Sequence, residues 1–267
     1  MPLSAQAEHH TQPAPALPGG LAVVIPAKDE AARIAGTVRA AKAVPGVDVV
    51  VVVDDGSRDA TLRTAAEAGA LALRHPHNRG RAAAMQTGAA RVARLDAADH
   101  PVSPRALLFV DADLGAGAAR AAVLAAPVMA GEADMTVAAL PPGQQPAAGR
   151  GGHALAVGLA RTGIRRATGW EPTQPLSGMR CITRQAFEAA RPLAKGWGVE
   201  TGLTIDVLLA GYRVVEVPCD LHHAVSTDVP AQALEVARAL AVARALAVRR
   251  LRRAIPLRVL RVLPHRT

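Results

Sequence analysis

Short apolar runs alternate with longer amphipathic segments along most of the chain. The apolar runs predict strands over residues 21–25, 47–53, 70–74, 106–110, 134–139 and 212–218. The segments between them have helical spacing and predict helices over 29–43, 59–69, 80–95, 117–130, 154–168 and 198–210. This alternation is typical of βα units and of a largely parallel sheet covered by helices.

Both ends of the chain and one internal segment depart from this pattern. Residues 1–20 lack the basic start and apolar centre of an export signal, and we expect a disordered tail there. Residues 140–152 are rich in Pro, Gly and Gln, which indicates a mobile loop that could close over a ligand. Residues 231–253 predict a helix that Pro256 stops. The sequence therefore predicts one α/β domain over 21–228 and a basic helical tail over 229–267.

The formal net charge of +9 is concentrated at one end of the chain. Residues 231–267 contain nine arginines and one glutamate, so the rest of the chain carries only about +1. With an aromatic fraction of 2%, the main domain offers few rings to stack on bases, which argues against nucleic-acid binding. The tail has two interpretations: packing on the main domain with its arginines solvated, or peripheral contact with an anionic lipid surface.

Cysteine content and hydropathy argue against a disulfide-rich protein and against a membrane-spanning one. Two cysteines are too few for a disulfide framework. No apolar stretch reaches the roughly 18 residues that span a bilayer. We therefore expect a cytoplasmic protein, with contact to a membrane surface through the tail and homodimer formation as further expectations.

Acidic residues follow two of the predicted strands. Asp111 and Asp113 come directly after residues 106–110, at the end of a strand where open α/β sheets bind ligands. Carboxylate oxygens suit hard divalent cations that also bind phosphates, although such pairs also cap helices on ordinary surfaces. Asp54 and Asp55 begin a turn after 47–53, either as turn residues or as acceptors for a base or ribose. Neither turn has a glycine-rich dinucleotide loop or a P-loop lysine, which argues against NAD enzymes and P-loop nucleotidases.

Four motifs in this order resemble family 2 nucleotide-sugar glycosyltransferases, which have the GT-A fold. They are VIPAKDE at 24–30, VDDGSRDAT at 53–61, NRGRAAA at 78–84 and DAD at 111–113. The resemblance implies an α/β fold of the GT-A type: a Rossmann-like, mixed and mostly parallel sheet between helices. Two weaker matches follow: GWGVE at 196–200 is similar to glucosyl-3-phosphoglycerate synthases, and PLSGMR at 175–180 to polyprenyl-phosphate sugar transferases.

The resemblance also implies a donor site and a metal site. The residues expected to bind the donor are Pro26, Ala27, Glu30, Asp55, Arg81 and Asp111. Arg81 stands where members of the family often have lysine. Arginine keeps the positive charge, but it is bulkier than lysine and can bind phosphate through two nitrogen atoms, so the two residues are not equivalent. Asp113 is expected to bind Mg²⁺ or Mn²⁺, with His223 as a second ligand or, alternatively, as a polar residue of an exit loop.

Two residues are candidates for the acceptor side. Glu200 is either a helix-start residue or an acid that faces the acceptor, as a general base in an inverting enzyme or an orienting group in a retaining one. Arg180 could bind an anionic acceptor or be a solvated residue at a strand edge. His75 and His77 are expected in a surface loop without a role.

The sequence thus favours a metal-dependent glycosyltransferase that uses a UDP- or GDP-linked sugar. The acceptor is expected to be a hydroxyl or phosphate, either like 3-phosphoglycerate or a polyprenyl phosphate. Three alternatives are a non-catalytic nucleotide-sugar-binding protein, a membrane-surface scaffold protein and a sugar-phosphate nucleotidyltransferase. The last of these needs a glycine-rich phosphate loop after the first strand, and residues 26–30 provide none.

Overall fold

A computed structural model describes residues 17–99, 102–139, 152–219 and 241–249. Within these residues the strands are β1 (Leu21–Ala27), β2 (Val47–Asp54), β3 (Leu71–Arg74), β4 (Ala106–Phe109), β5 (Met135–Ala139), β6 (Arg180–Ile182) and β7 (Val214–Pro218). The helices are α1 (Ile34–Lys42), α2 (Thr61–Glu67), α3 (Arg81–Asp99), α4 (Ala122–Met129), α5 (Gly152–Thr168), α6 (Arg184–Ala189), α7 (Val199–Leu209) and α8 (241–249). Short 3₁₀ turns over Gly115–Ala121 and Gly196–Gly198 precede α4 and α7.

The seven described strands form one sheet in the order β3-β2-β1-β4-β6-β5-β7. All neighbouring pairs are parallel except those of β6, which runs antiparallel to both β4 and β5. The expected mixed, mostly parallel sheet of the GT-A type is therefore confirmed. Because β1, β2 and β4 are parallel neighbours, the polar turns that follow them meet at one edge of the sheet.

Hydrophobic residues cover both faces of this sheet, as the apolar runs predicted. In β1, Leu21, Val23 and Ile25 belong to one core cluster, whereas Ala22 and Val24 belong to the other. The alternation follows from the period of two along a strand. On the second face, Gly88 lets α3 approach closely, because a Cβ there would lie 2.3 Å from Cγ1 of Val24. A larger residue at this position of α3 would therefore push the helix away from β1.

The first helix begins later than the pattern predicted. A helix over 29–43 was expected, but α1 starts at Ile34. Asp29 has φ of 55°, in the left-handed region that an α-helix excludes. Residues 28–33 therefore form a loop at the carboxyl end of β1, and this loop contributes to the cleft described below.

The predicted tails lie largely outside the described residues. Residues 1–16 and 250–267 fall outside, as does most of the predicted loop 140–152, of which Gly152 begins α5. Of the predicted helix 231–253, residues 241–249 are helical and pack on the main domain. One expectation is wrong here, because Arg249 is buried and not solvated. None of the helices in the described part of the chain is long and apolar enough to cross a membrane. Contact with a membrane surface, homodimer formation and a cytoplasmic location stay predictions.

Candidate active site

A cleft of about 720 Å³ opens where β1, β2 and β4 end. It is lined by eight of the residues singled out from the sequence: Pro26, Ala27, Glu30, Asp55, Arg81, Asp111, Asp113 and Glu200. Lys28, Asn78, Ser177 and Gly178 also line it. Residues that are far apart in sequence therefore share one concave surface, which is the usual setting of a ligand site in an α/β sheet.

Hydrogen bonds join the loop after β1 to the turn after β2. The backbone N–H of Asp29 donates to Oγ of Ser57 (2.9 Å), and Oδ1 of Asp29 accepts from the N–H of Arg58 (2.8 Å). The N–H of Glu30 donates to Oγ1 of Thr61 (2.8 Å). These bonds hold Asp29 in its left-handed conformation and fix Glu30 at the rim of the cleft.

The two acids of the Asp54–Asp55 turn have different surroundings. Asp54 is fully buried, and its Oδ1 accepts from the N–H of Ser57 (2.8 Å), so it shapes the turn. Asp55 accepts from the N–H groups of Arg79 and Gly80, both at 2.8 Å. Burial opposes ionisation of Asp55, but these bonds and one from His75 outweigh it and lower the pKa of Asp55. Asp55 therefore organises the loop before α3 as well as lining the cleft.

His75 is an interior residue, contrary to the expectation of a surface loop. Its Nδ1 lies 2.7 Å from Oδ1 of Asp55, and its Nε2 lies 2.9 Å from Oγ1 of Thr87. The register of β2 and β3 explains this, because Asp54 pairs with Arg74 and places His75 beside Asp55. His77 is exposed, as expected. The position of His75 directly after a strand was the signal that could have identified it.

The Asp111–Asp113 pair is held by contacts to its backbone. The N–H of Asp111 donates to Sδ of Met179 (3.1 Å). Thr37 of α1 donates from Oγ1 to the carbonyl of Ala112 (2.8 Å) and accepts from the N–H of Gly115 (2.8 Å). Ala112 is buried between two partly exposed acids, which both line the cleft. Thr37, which sequence reasoning did not identify, thus fixes the turn that carries both carboxylates.

Arg81 connects the acids of the two sides of the cleft. Its Nη2 lies 2.6 Å from Oδ1 of Asp111, and its Nε lies 3.1 Å from Oε1 of Glu200. Nη2 also donates to the carbonyl of Gly178 (3.1 Å). A Cβ at Gly178 would lie 2.4 Å from Nη2 of Arg81 and 2.9 Å from Oδ1 of Asp111, so the ion pair requires glycine there.

Glu200 is a buried acid at the start of α7. Burial raises the pKa of Glu200 above its ordinary value, although the positive charges of Arg81 and Arg180 oppose the increase. A carboxyl group with a raised pKa beside a cleft is a candidate for proton transfer near neutral pH.

Arg180 does not line the cleft, which corrects the expectation that it binds an acceptor directly. Its side chain is 0% exposed, and Nη2 donates to the carbonyl of Ser177 (2.6 Å). Nη1 donates to the carbonyl of Glu200 and to Oγ1 of Thr204, both at 3.3 Å. Burial lowers the pKa of Arg180 to about 10. Its place in β6, between β4 and β5, puts it beneath Glu200, where it supports the cleft from inside.

The acids of the cleft fit a divalent cation that shares its ligands with a substrate. Asp113 offers carboxylate oxygens at the rim of the cleft. Burial raises the pKa of Glu30, and the charge of Asp113 adds to the increase, so these two acids interact. Over the described ranges no group of three or more His, Cys, Asp or Glu could hold a metal on its own. His223 lies outside the described residues.

The mixed sheet and its acidic cleft define a glycosyltransferase of the GT-A class. The chain belongs to glycosyl transferase family 2, whose sequence model matches residues 22–189. It is therefore a glycosyltransferase. A comparison with curated proteins finds no match.

Solved structures of one enzyme resemble the chain over most of its length. They are crystal structures of glucosyl-3-phosphoglycerate synthase from Mycobacterium tuberculosis, one with phosphoglyceric acid and one with Mg²⁺ and UDP. Each is 26% identical to the chain with a TM-score of 0.67, and the match covers 86% of this chain and 79% of that one. A third structure, with Mn²⁺, UDP and phosphoglyceric acid, has a TM-score of 0.65 at the same identity. The resemblance to glucosyl-3-phosphoglycerate synthases is thus confirmed.

Proposed function

We propose that the chain transfers a sugar from a nucleoside diphosphate sugar, UDP- or GDP-linked, to a small phosphorylated acceptor, and requires Mg²⁺ or Mn²⁺. The observation that carries the proposal is the single cleft in which Asp111, Asp113, Arg81 and Glu200 meet. The similarity to a synthase that was crystallised with UDP and Mg²⁺ supports the donor and the cation.

On the donor side, Pro26, Ala27, Glu30 and Asp55 would line the nucleoside pocket, and Asp111 would face the ribose or base. Asp113 would hold the cation, with His223 as a candidate second ligand. The cation, when bound, supplies positive charge that stabilises the diphosphate leaving group. Arg81 would bind the diphosphate beside it, because a guanidinium can contact two oxygens at once.

On the acceptor side, Glu200 would contact the hydroxyl that attacks the sugar. In an inverting reaction its carboxylate would remove the proton from that hydroxyl, and in a retaining reaction it would orient the acceptor. The segment Gly196–Gly198 leads directly into Glu200, and Gly196 lines the cleft. An acceptor like 3-phosphoglycerate is supported by the similarity to a synthase crystallised with phosphoglyceric acid.

The test is a donor and acceptor screen with the full chain. UDP- and GDP-linked sugars are first ranked by thermal shift with Mg²⁺ or Mn²⁺. The best donor is then incubated with 3-phosphoglycerate or a polyprenyl phosphate, and nucleotide release and product mass are measured. We expect release that depends on the metal and on the phosphoglycerate.

Each alternative predicts a different result in the same screen. Transfer to the polyprenyl phosphate alone would replace the acceptor and keep the donor assignment. Nucleotide binding without transfer to either acceptor would contradict catalysis and favour a binding protein. Formation of a nucleotide sugar from a sugar phosphate and a nucleoside triphosphate would favour the nucleotidyltransferase.

A further inference from the structure

Helix α8 packs into a groove left open by a glycine of α5 and a glycine of the 3₁₀ turn that precedes α7. Val242 and Ala245 of α8 are buried. A Cβ at Gly163 of α5 would lie 2.4 Å from Cδ2 of Leu246. One at Gly198 would lie 2.6 Å from the carbonyl oxygen of Ala241. A side chain at Gly198 would therefore collide with the backbone of α8, and one at Gly163 would collide with the Leu246 side chain, which fills the groove.

Arg249 fixes the position of α8 along this groove. It is 5% exposed and forms an ion pair with Asp206 of α7. Its Nε donates to the carbonyl of Gly202 in α7 (3.1 Å), and Nη1 donates to the carbonyl of Ala245 (3.4 Å). A buried guanidinium requires such partners, because an unpaired buried charge is strongly destabilising. The contact is therefore specific for one arrangement of α8 on α7.

The surface that α8 covers lies directly behind the acceptor side of the cleft. Ala241 contacts Gly198 and lies 3.9 Å from a Cβ built at Gly196, which itself lines the cleft. Glu200 follows two residues after Gly198, in the first turn of α7. Arg180 donates to the carbonyl of Glu200, and Arg249 donates to the carbonyl of Gly202. Two buried arginines thus bind the backbone of the first turns of α7.

We propose that α8 is a positioning element for the acceptor side, with Arg249 as its principal positioning residue. By fixing the start of α7, α8 holds the Glu200 carboxylate where it meets Arg81 and the acceptor. The donor side is built at the ends of β1, β2 and β4, whereas the contacts of α8 given above are with α5, with α7 and with the 3₁₀ turn before α7. This inference rests on the proposed role of Glu200, and it assigns a function to the basic tail beyond the proposed activity.

The first test displaces α8 without changing α7 or any residue of the cleft. Gly163→Leu places a side chain against Leu246, whereas a Cβ at the exposed Gly158, in the same helix, meets nothing within 4 Å, so Gly158→Leu is the matched control. We expect the acceptor kcat/KM of Gly163→Leu to fall roughly 10- to 100-fold, as for a catalytic group displaced by about 1 Å. UDP affinity by calorimetry should change less than about threefold, and Gly158→Leu should match the unmodified chain in both.

The second test removes the buried guanidinium group of Arg249. Arg249→Ala should lower the acceptor kcat/KM in the same way, while Arg244→Ala, an exposed arginine of the same helix, should not. Hydrogen exchange of the amides of residues 199–203 is measured in parallel, because it reports on α7 whether or not the enzyme turns over. We expect faster exchange there in Arg249→Ala and Gly163→Leu only.

The outcomes separate this inference from the proposed function. Unchanged exchange and unchanged acceptor kinetics in Gly163→Leu and Arg249→Ala would overturn the role of α8. A loss of UDP affinity as large as the loss in acceptor kcat/KM would also overturn it, because it would show that the whole protein is destabilised. If the unmodified chain binds no nucleotide and transfers no sugar, the proposed function fails, while altered exchange at α7 would still establish the coupling to α8.

Discussion

Nε of Arg81 lies 3.1 Å from Oε1 of Glu200, while Nη2 of the same guanidinium pairs with Asp111. One side chain therefore contacts an acid of the proposed donor side and an acid of the proposed acceptor side. On the proposed assignment, a donor diphosphate entering the cleft would compete with both acids for Arg81, so we expect donor binding and the ionisation of Glu200 to be coupled.

This coupling predicts a shift in the pH dependence of the reaction. In an inverting reaction, Glu200 would have to be ionised to act as the base, so we expect kcat/KM to fall as the pH drops through the pKa of Glu200, which burial raises. Arg81→Ala removes a charge that opposes this increase, so the acidic limb of the kcat/KM profile should move to higher pH. Arg81→Lys should restore part of the shift, because lysine keeps the charge without the bidentate geometry. An acidic limb that stays in place in Arg81→Ala would contradict the coupling.

Asp113→Ala should abolish metal-dependent turnover while the fold survives. Asp113 is partly exposed at the rim of the cleft, so its removal leaves the core intact. We expect a loss of roughly 10²-fold or more in kcat, the size found when a group that stabilises transition-state charge is removed. Glu132→Ala, an exposed acid outside the cleft, serves as the control. A folded Asp113→Ala protein with normal turnover would exclude the metal assignment.

Asp55→Ala should destabilise the fold, because the N–H groups of Arg79 and Gly80 lose a charged acceptor. We expect a loss of about 2 kcal/mol in the free energy of unfolding at pH 7. Since the pKa of Asp55 is lowered, its contribution is complete above about pH 5 and is lost as the pH falls through the lowered pKa. Urea denaturation should therefore show a smaller difference in the free energy of unfolding between Asp55→Ala and the unmodified chain at pH 3 than at pH 7. Glu67→Ala, at an exposed ion pair, should cost less than about 0.5 kcal/mol at either pH.

Gly178→Ala should weaken donor binding without unfolding the protein. The new Cβ would displace the flexible end of Arg81 from Asp111. We expect the Kd for UDP, measured by calorimetry with Mg²⁺, to rise about tenfold, equivalent to roughly 1.4 kcal/mol. Gly117→Ala meets nothing within 4 Å and should leave the Kd unchanged. Equal effects of the two substitutions would mean that the space beside Arg81 is unimportant.

The residues that line the cleft at the ends of β1, β2 and β4 could be predicted from the sequence because their signals are local. Each apolar run predicted a strand, and the acids that follow β2 and β4 meet because parallel strands share one edge. The burial of His75 was not predicted, because it depends on how β2 pairs with β3. Arg180 was misplaced for a similar reason: the burial of β6 depends on its insertion between β4 and β5, which no local pattern records.

The reversed direction of β6 has a consequence for how this enzyme could diversify. Because β6 runs antiparallel to β4, it begins beside the cleft, and residues before and after it line the cleft together with residues from 26–113. On the proposed assignment, the two substrates are recognised by separate lengths of chain, and Arg81 joins an acid of one length, Asp111, to an acid of the other, Glu200. A chimera that exchanges only the later length could acquire a new acceptor and keep its donor, provided that the arginine bridge is retained.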